Sequence, residues 1–397
     1  MRHDYQGLPQ RPLAKARLVY GLIFIPLIFL PLFALIFLAL PQPLSGYENP
    51  LRVGFGGALL GNLSNYGLSN FYGVEYAIRN VNAKGGVLGR HVDLISEDDS
   101  CNPAQATTAA NKLLNSGVSL IFGHTCSGAT RRALSVYKNK ALVISSSATE
   151  TSLTDKGLFP YFFRTTPRDD AQVKLLIALI KKNGYKKVAI LHDKSDYGQS
   201  LAEMAQKSLR ERPDEVEVVL FEAVSSGQAS FEAVLSRIKT SQAEALLWGG
   251  YYNDAGKLAT QLRQRLPQVV LLGPEALFDP RFLMIAQEAA DGTYCAGQEN
   301  LALSPAARAA VADHRRKHYS KEIGIYFFYA AGAAQALFAA VNKVGSDQDL
   351  AAIKKRLQED TVETIMGPVR FNAKGDIIGA KFKLYVIKYG KYQEVNL

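Results

Sequence analysis

The chain has 397 residues, 48% of them hydrophobic and 21% charged, without a low-complexity tract. That length and balance support two domains with separate cores and exclude a disordered chain. The formal charge of +10 comes from Lys and Arg scattered over amphipathic segments, not from a basic stripe with interleaved aromatics, so no nucleic-acid partner is expected.

The first element is hydrophobic. Leu18 to Leu40 holds no charged residue and follows Arg2, Arg11, Lys15 and Arg17, a basic-then-apolar order that reads as an export or anchor segment. As a helix it would reach about 35 Å, enough to cross a bilayer. Pro41 and Pro43 stand where a signal peptidase wants small residues, so residues 1–47 are expected to be either an uncleaved anchor or a long cleaved signal, with the remainder exported.

From Leu51 onward, strand-length apolar runs alternate with helical patterns, the signature of a parallel sheet with crossover helices. Strands are predicted at Leu51 to Gly56, His91 to Ser96, Val118 to Phe122 and Ala141 to Ser145, with helices at Phe71 to Asn82, Ala104 to Asn115 and Ala129 to Lys138. After a break at Thr165, Thr166 and Pro167, a second series places strands at Lys187 to Leu191, Glu215 to Phe221, Ala243 to Trp248 and Gln268 to Leu272. Its helices fall at Asp170 to Asn183, Ser200 to Arg212, Phe231 to Thr240 and Ala255 to Arg265. The remainder has helices near Pro305 to Tyr319, Tyr326 to Val344 and Asp347 to Gln358, then β-rich text at Val369 to Phe371 and Ala380 to Lys388. It is not a third copy and is best used to complete both lobes. The predicted fold is α/β: two doubly wound parallel-sheet lobes joined by a hinge of several crossovers. Residues 48–167 plus 300–375 form the first lobe and 168–299 plus 376–397 the second.

Open α/β sheets bind ligands outside the carboxyl ends of their strands, so function is expected in the post-strand loops. Enzyme chemistry finds no support there. The loop Gly54 to Gly61 lacks the Gly-Lys-Ser/Thr ending of a phosphate-binding turn, though its glycines would allow close approach to some ligand. His314 and His318 have the i, i+4 spacing of metal ligands, but the text DHRRKH offers cations and no glutamate, which reads as a solvated helix face. His192 with Asp193 has no nucleophile elbow beside it. No catalytic residue, metal or cofactor is therefore expected.

The loops hold neutral donors, aromatic faces and one acid. Ser127 opens a helix after the third strand, where free N–H groups and a hydroxyl favour a carboxylate; a plain helix cap is the alternative. Ser147, Ala148 and Thr149 follow the fourth strand, as further donors or as a turn. Glu275 follows a strand of the second series, to accept from an ammonium group or to cap a helix. Tyr66, Tyr197, Tyr251 and Tyr326 sit at loop or helix-start positions, as pocket walls or as core. Donors at one end and an acid at the other suit a zwitterion. Cys101 and Cys126 lie in loops after neighbouring predicted strands, and an oxidising compartment permits a disulfide between them; Cys295 reads as a buried thiol, and His124 as a loop residue.

With these motifs in order, the chain resembles the periplasmic leucine/isoleucine/valine-binding proteins of ABC transporters, the type I solute-binding fold. The resemblance runs from Leu51 past Phe382. It is carried by NAKGGVLGR at 82–90, DDSCNPAQA at 98–106, IFGHTCS at 121–127, FRTTPRDDAQ at 163–172, LHDKSDYG at 191–198, GGYYNDAG at 249–256, LLGPE at 271–275 and IMGPVRFNAKGD at 365–376. It implies a monomer outside the cytoplasm that hands an amino acid to a permease, tethered to the membrane if the N-terminal segment is uncleaved. A membrane-tethered sensor is the alternative. It also implies that Ser127, the backbone around Ser147, and Thr149 hold the carboxylate and part of the ammonium. Glu275 would meet the ammonium, the four tyrosines would wall the pocket, and Cys101 would pair with Cys126. The SSSATE loop and Tyr326 are more polar than is usual in that family.

Overall fold

The computed structural model describes residues 49–211, 214–299, 301, 304–317 and 323–397; the predicted N-terminal segment and His318 lie outside them. Among the described residues no helix is long and apolar enough to cross a membrane.

Five parallel strands form the first sheet in the order β2-β1-β3-β4-β5: β1 (Leu51–Gly57), β2 (Val92–Asp98), β3 (Leu120–Gly123), β4 (Leu142–Ser145) and β5 (Phe162–Arg164). β3 and β4 are buried at every residue, as continuous apolar strands covered on both faces must be. Between the strands run α1 (Ser64–Asn82), α2 (Pro103–Asn115) and α3 (Ser127–Tyr137). Asn102 starts α2 by accepting from the N–H groups of Ala104 and Gln105, with Pro103 at the first helical position.

The chain then crosses to a second sheet, with α4 (Asp169–Lys182) leading into β6 (Lys187–His192), β7 (Glu217–Ala223), β8 (Ala245–Gly249), β9 (Val270–Gly273) and β10 (Tyr294–Gln298). α5 (Asp196–Arg210), α6 (Glu232–Ser241), α7 (Tyr252–Arg265) and α8 (Pro280–Ala286) connect them. It returns through α9 (Pro305–Lys317), α10 (Phe327–Val344), α11 (Leu350–Glu359) and the hairpin of β11 (Val362–Thr364) and β12 (Gly367–Val369). Ala330, Ala333, Leu337 and Val341 of α10 share one core with Leu51, Val53 and Phe122 of the first sheet. A last crossing delivers β13 (Phe382–Lys388) and β14 (Lys391–Val395), which close the second sheet as β14-β13-β10-β9-β8-β6-β7, antiparallel only at β13 and β14.

The departures from sequence expectation are local. α1 starts at Ser64, not Phe71, because its polar first turns face the protein interior: Tyr66, Gly67, Ser69 and Asn70 are buried. Only glycine fits at 67, where a Cβ would stand 1.9 Å from the Ala58 carbonyl oxygen. β5, β10 and β14 lacked an apolar run to announce them; β5 has three residues, and in β14 only Tyr392 and Val395 are even half-buried.

Candidate functional site

Loops from both sheets meet over one cleft, lined by Tyr66, Thr125, Cys126, Ser127 and Ser147 from the first series, Tyr197, Tyr251, Glu275 and Ala276 from the second, and Tyr326 from the return segment. The cavity among them is about 10 Å³, room for a single water molecule.

On the first sheet's side, Ser127 is the first residue of α3 and its hydroxyl accepts from the Glu150 N–H at 3.3 Å. The cap position belongs to Cys126, so the Ser127 side chain is not consumed in capping. The Ser147 hydroxyl donates to the Thr125 carbonyl at 2.8 Å and accepts from Asn70 at 2.8 Å. Ala148 is placed differently from the expectation of a ligand donor. Its methyl packs in the first lobe's core, its N–H goes to Ser145 and its carbonyl accepts from Arg164, so its polar groups serve the loop. Thr149 is buried behind the lining; its carbonyl accepts from the Asp169 N–H at 3.0 Å and its hydroxyl is unpaired.

Beneath this loop His124 is held between Asp99, 2.5 Å from Nδ1, and the Tyr137 hydroxyl, 2.9 Å from Nε2, all three wholly buried. The glycines after β1 make room for it. A Cβ on Gly56 would meet the His124 ring at 2.5 Å and one on Gly57 the Thr125 hydroxyl at 2.5 Å, so these glycines admit neighbouring side chains and not a ligand. Cys101 and Cys126 are joined in a disulfide with Cα atoms 5.3 Å apart. Their strands, β2 and β3, are not neighbours but flank β1, so the bridge spans its end.

On the second sheet's side, Glu275 opens a short 3-10 turn behind Pro274 and its carboxyl caps nothing. Its Oε1 accepts from the Tyr197 hydroxyl at 3.0 Å, while Oε2 is buried without a partner. Gln172 donates to Asp169 at 2.6 Å and accepts from the Glu275 N–H at 2.8 Å, bringing a second acid alongside. Burial, then repulsion by Asp169, pushes the Glu275 carboxyl up to about 8 against the pull of Tyr197, Gln172 and Thr149. Burial pushes Asp169 up to about 7, opposed by Thr149, Gln172 and Arg164. Tyr197 stacks on Tyr251 with centroids 5.1 Å apart, and Tyr66 meets Tyr326 edge-on at 5.5 Å. Burial raises all four phenols far above their ordinary range, so they stay neutral.

The two sides touch directly. The Tyr66 hydroxyl donates to the Ala276 carbonyl, Asn65 donates to Asp279 at 2.7 Å, Tyr252 donates to the Asn62 carbonyl at 2.6 Å, and Arg131 faces Asp196 at 3.6 Å.

Both ring nitrogens of His124 are engaged, and Asp193 beside His192 is spent on Ser195 and on the Tyr251 N–H. Among the described residues no group of three potential metal ligands exists. His314 is buried against the rings of Tyr72 and Phe327, not on a solvated face as its cationic neighbours suggested. Sequence reasoning missed Thr125, Ala276, Asp169 and Gln172. Asp169 reads as an ordinary acidic first turn of α4, and only the fold reveals that it faces Glu275.

A family model described as periplasmic binding protein matches residues 50–391. The chain is 32% identical over 344 residues to the Leu/Ile/Val-binding protein of Citrobacter freundii, covering 85% of this chain and 91% of that one. It is 32% identical over 344 residues to the Leu/Ile/Val/Thr-binding protein of Salmonella typhimurium, covering 85% and 92%. Among solved structures, the branched-chain amino acid transporter substrate-binding protein LivJ of Streptococcus pneumoniae, in complex with isoleucine, superposes with a TM-score of 0.74 at 26% identity, over 87% of this chain and 99% of that one. The leucine-binding protein LivK of Thermotoga maritima shares the fold, with a TM-score of 0.77 at 21% identity over 87% and 98%.

Proposed function

Since this chain belongs to the periplasmic binding protein family, we propose that it captures an α-amino acid with a branched aliphatic side chain outside the cytoplasm and delivers it to an ABC importer. The observation that carries this reading is the buried, unpaired carboxyl oxygen of Glu275, set across the cleft from the Ser127 hydroxyl, whose own hydrogen goes to no acceptor among the described residues. The carboxylate of the ligand lies with Ser127, Ser147 and Thr149. Its ammonium meets Glu275, its side chain packs among Tyr66, Tyr197, Tyr251 and Tyr326, and Ala148 acts through the loop it belongs to. Relatives named for leucine, isoleucine and valine support the ligand class. The lobes comprise residues 48–167 plus 300–375 and 168–299 plus 376–397, the permease is the partner, and residues 1–47 direct export or remain as an anchor.

A thermal-shift screen against the amino acids tests the ligand: at a hundred times its dissociation constant a binder adds about 2.7 kcal/mol of stability. Titration calorimetry then tests the site. Glu275→Ala leaves the ammonium without its charged partner in a desolvated cleft and costs about 2 to 5 kcal/mol of affinity, whereas Ser127→Ala removes one neutral donor among several, about 1 kcal/mol. Equal losses in the two variants would show that the ammonium lies elsewhere.

A further inference from the structure

We propose that Asp169 is a second acid of the ammonium site, and that taking up an amino acid expels a proton held between Asp169 and Glu275. The inference rests on the amino-acid reading above and says what that site must do with its charge. Asp169 and Glu275 are 0% and 2% exposed. Gln172 spans them, donating to one and accepting from the backbone of the other. Each keeps one carboxyl oxygen, Oδ2 and Oε2, without a partner at hydrogen-bonding geometry, and the Thr149 hydroxyl acts on both carboxyls in favour of their ionised forms.

Among the described residues neither acid forms an ion pair. Arg164 is the cation that acts on Asp169, and it is committed to Asp376 and to the carbonyls of Ala148 and Glu150. Glu150, also acting on Asp169, adds negative charge and is paired with Arg131. The phenols facing Glu275 and the Cys295 thiol that feels its charge are neutral. Two carboxylates in one desolvated site do not both ionise while no cation joins them, in line with their rise to about 7 and about 8. An entering ammonium supplies the missing positive charge. Both acids then ionise, and the displaced proton passes to the solvent buffer. Release on binding fixes the sign: affinity rises with pH, approaching tenfold per pH unit for one proton, and levels off above the pair's upper titration.

The experiment is calorimetric titration of the full chain with leucine, isoleucine, valine and threonine, repeated with the tightest binder in phosphate and in Tris between pH 6 and pH 8.5. Wild type is expected to release most of one proton near neutral pH and to gain affinity by about tenfold from pH 6 to pH 7. Asp169→Asn removes the repulsion on Glu275, so its release falls by more than half and its affinity levels off at lower pH. Buffer-independent heats with flat affinity in wild type would overturn the proposal, as would unchanged release in Asp169→Asn. The wild-type buffer comparison decides the question even where the variant does not fold. Absence of binding by all four amino acids at every pH would instead overturn the amino-acid reading, and the proposal with it.

Discussion

Replacing Arg164 by Met removes a wholly buried guanidinium that joins three segments. Its Nε donates to Asp376 at 2.7 Å, Nη1 to the carbonyls of Glu150 at 2.8 Å and Ala148 at 3.1 Å, and Nη2 to the Thr154 hydroxyl. Removing one partner of a buried pair costs about 3 to 5 kcal/mol, since the other charge stays desolvated. The Ala148 carbonyl, left without a donor, adds about 1 to 3 kcal/mol, while the Glu150 carbonyl keeps the Leu153 N–H. Arg168, 3.5 Å from Asp376, takes up part of the abandoned charge. The net expectation for Arg164→Met is a loss of about 4 kcal/mol, read from urea denaturation of ligand-free protein by circular dichroism, with Arg164→Lys losing about half as much because an ammonium keeps the charge but cannot reach every acceptor. The carbonyls concerned flank Thr149, so amino-acid affinity in native conditions is expected to fall at least tenfold, that is by about 1.4 kcal/mol. A stability loss below about 1 kcal/mol with unchanged affinity would refute the view that Arg164 ties the loop carrying Ala148 and Glu150 to Asp376.

Reducing the Cys101–Cys126 bridge, whose cysteines are 25 residues apart, is expected to remove about 3.5 kcal/mol in the chain-entropy account and to lower Tm by several degrees. Cys295, fully buried with its thiol pushed well above the usual range, stays unalkylated in the folded protein; peptide mapping after mild alkylation checks both points. Tyr326→Phe removes a hydroxyl that interacts with Gln298, whose own side-chain atoms are otherwise unpaired, and is expected to raise the leucine-to-threonine affinity ratio roughly fivefold, about 1 kcal/mol. Competition calorimetry reads that ratio.

The order of elements was legible because buried parallel strands leave continuous apolar runs, as β3, β4 and β8 do, and because helices carry end signals, the acidic first and basic last turn of α4 and the Ser195 cap of α5. Tyr66, Ser127, Ser147, Tyr197, Tyr251, Glu275 and Tyr326 were legible for a different reason: each falls just past a strand or at the start of a helix, where an open α/β sheet gathers its loops. The residues that escaped are defined by tertiary contact. Thr125 and Ala276 are ordinary loop residues until the lobes meet, and Asp169 sits more than a hundred positions from the acid it faces. The inward turn of α1 escaped too, because Asn65, Ser69 and Asn70 look solvent-facing in the text yet bond to Asp279, Tyr326 and Ser147.

The bonds that cross the cleft, Asn65 to Asp279, Tyr252 to Asn62 and Tyr66 to Ala276, join protein to protein around a cavity too small for an amino acid. An amino acid can enter this arrangement only after these bonds part. Capture then has two clocks. At low concentration the observed rate grows with ligand, and at high concentration it reaches a ceiling set by spontaneous opening, the kinetic mark of a population that must change shape before it binds. Asn65→Ala, which removes one bond of the latch, raises that ceiling in stopped-flow traces and shortens the residence time of the bound amino acid by the same weakening.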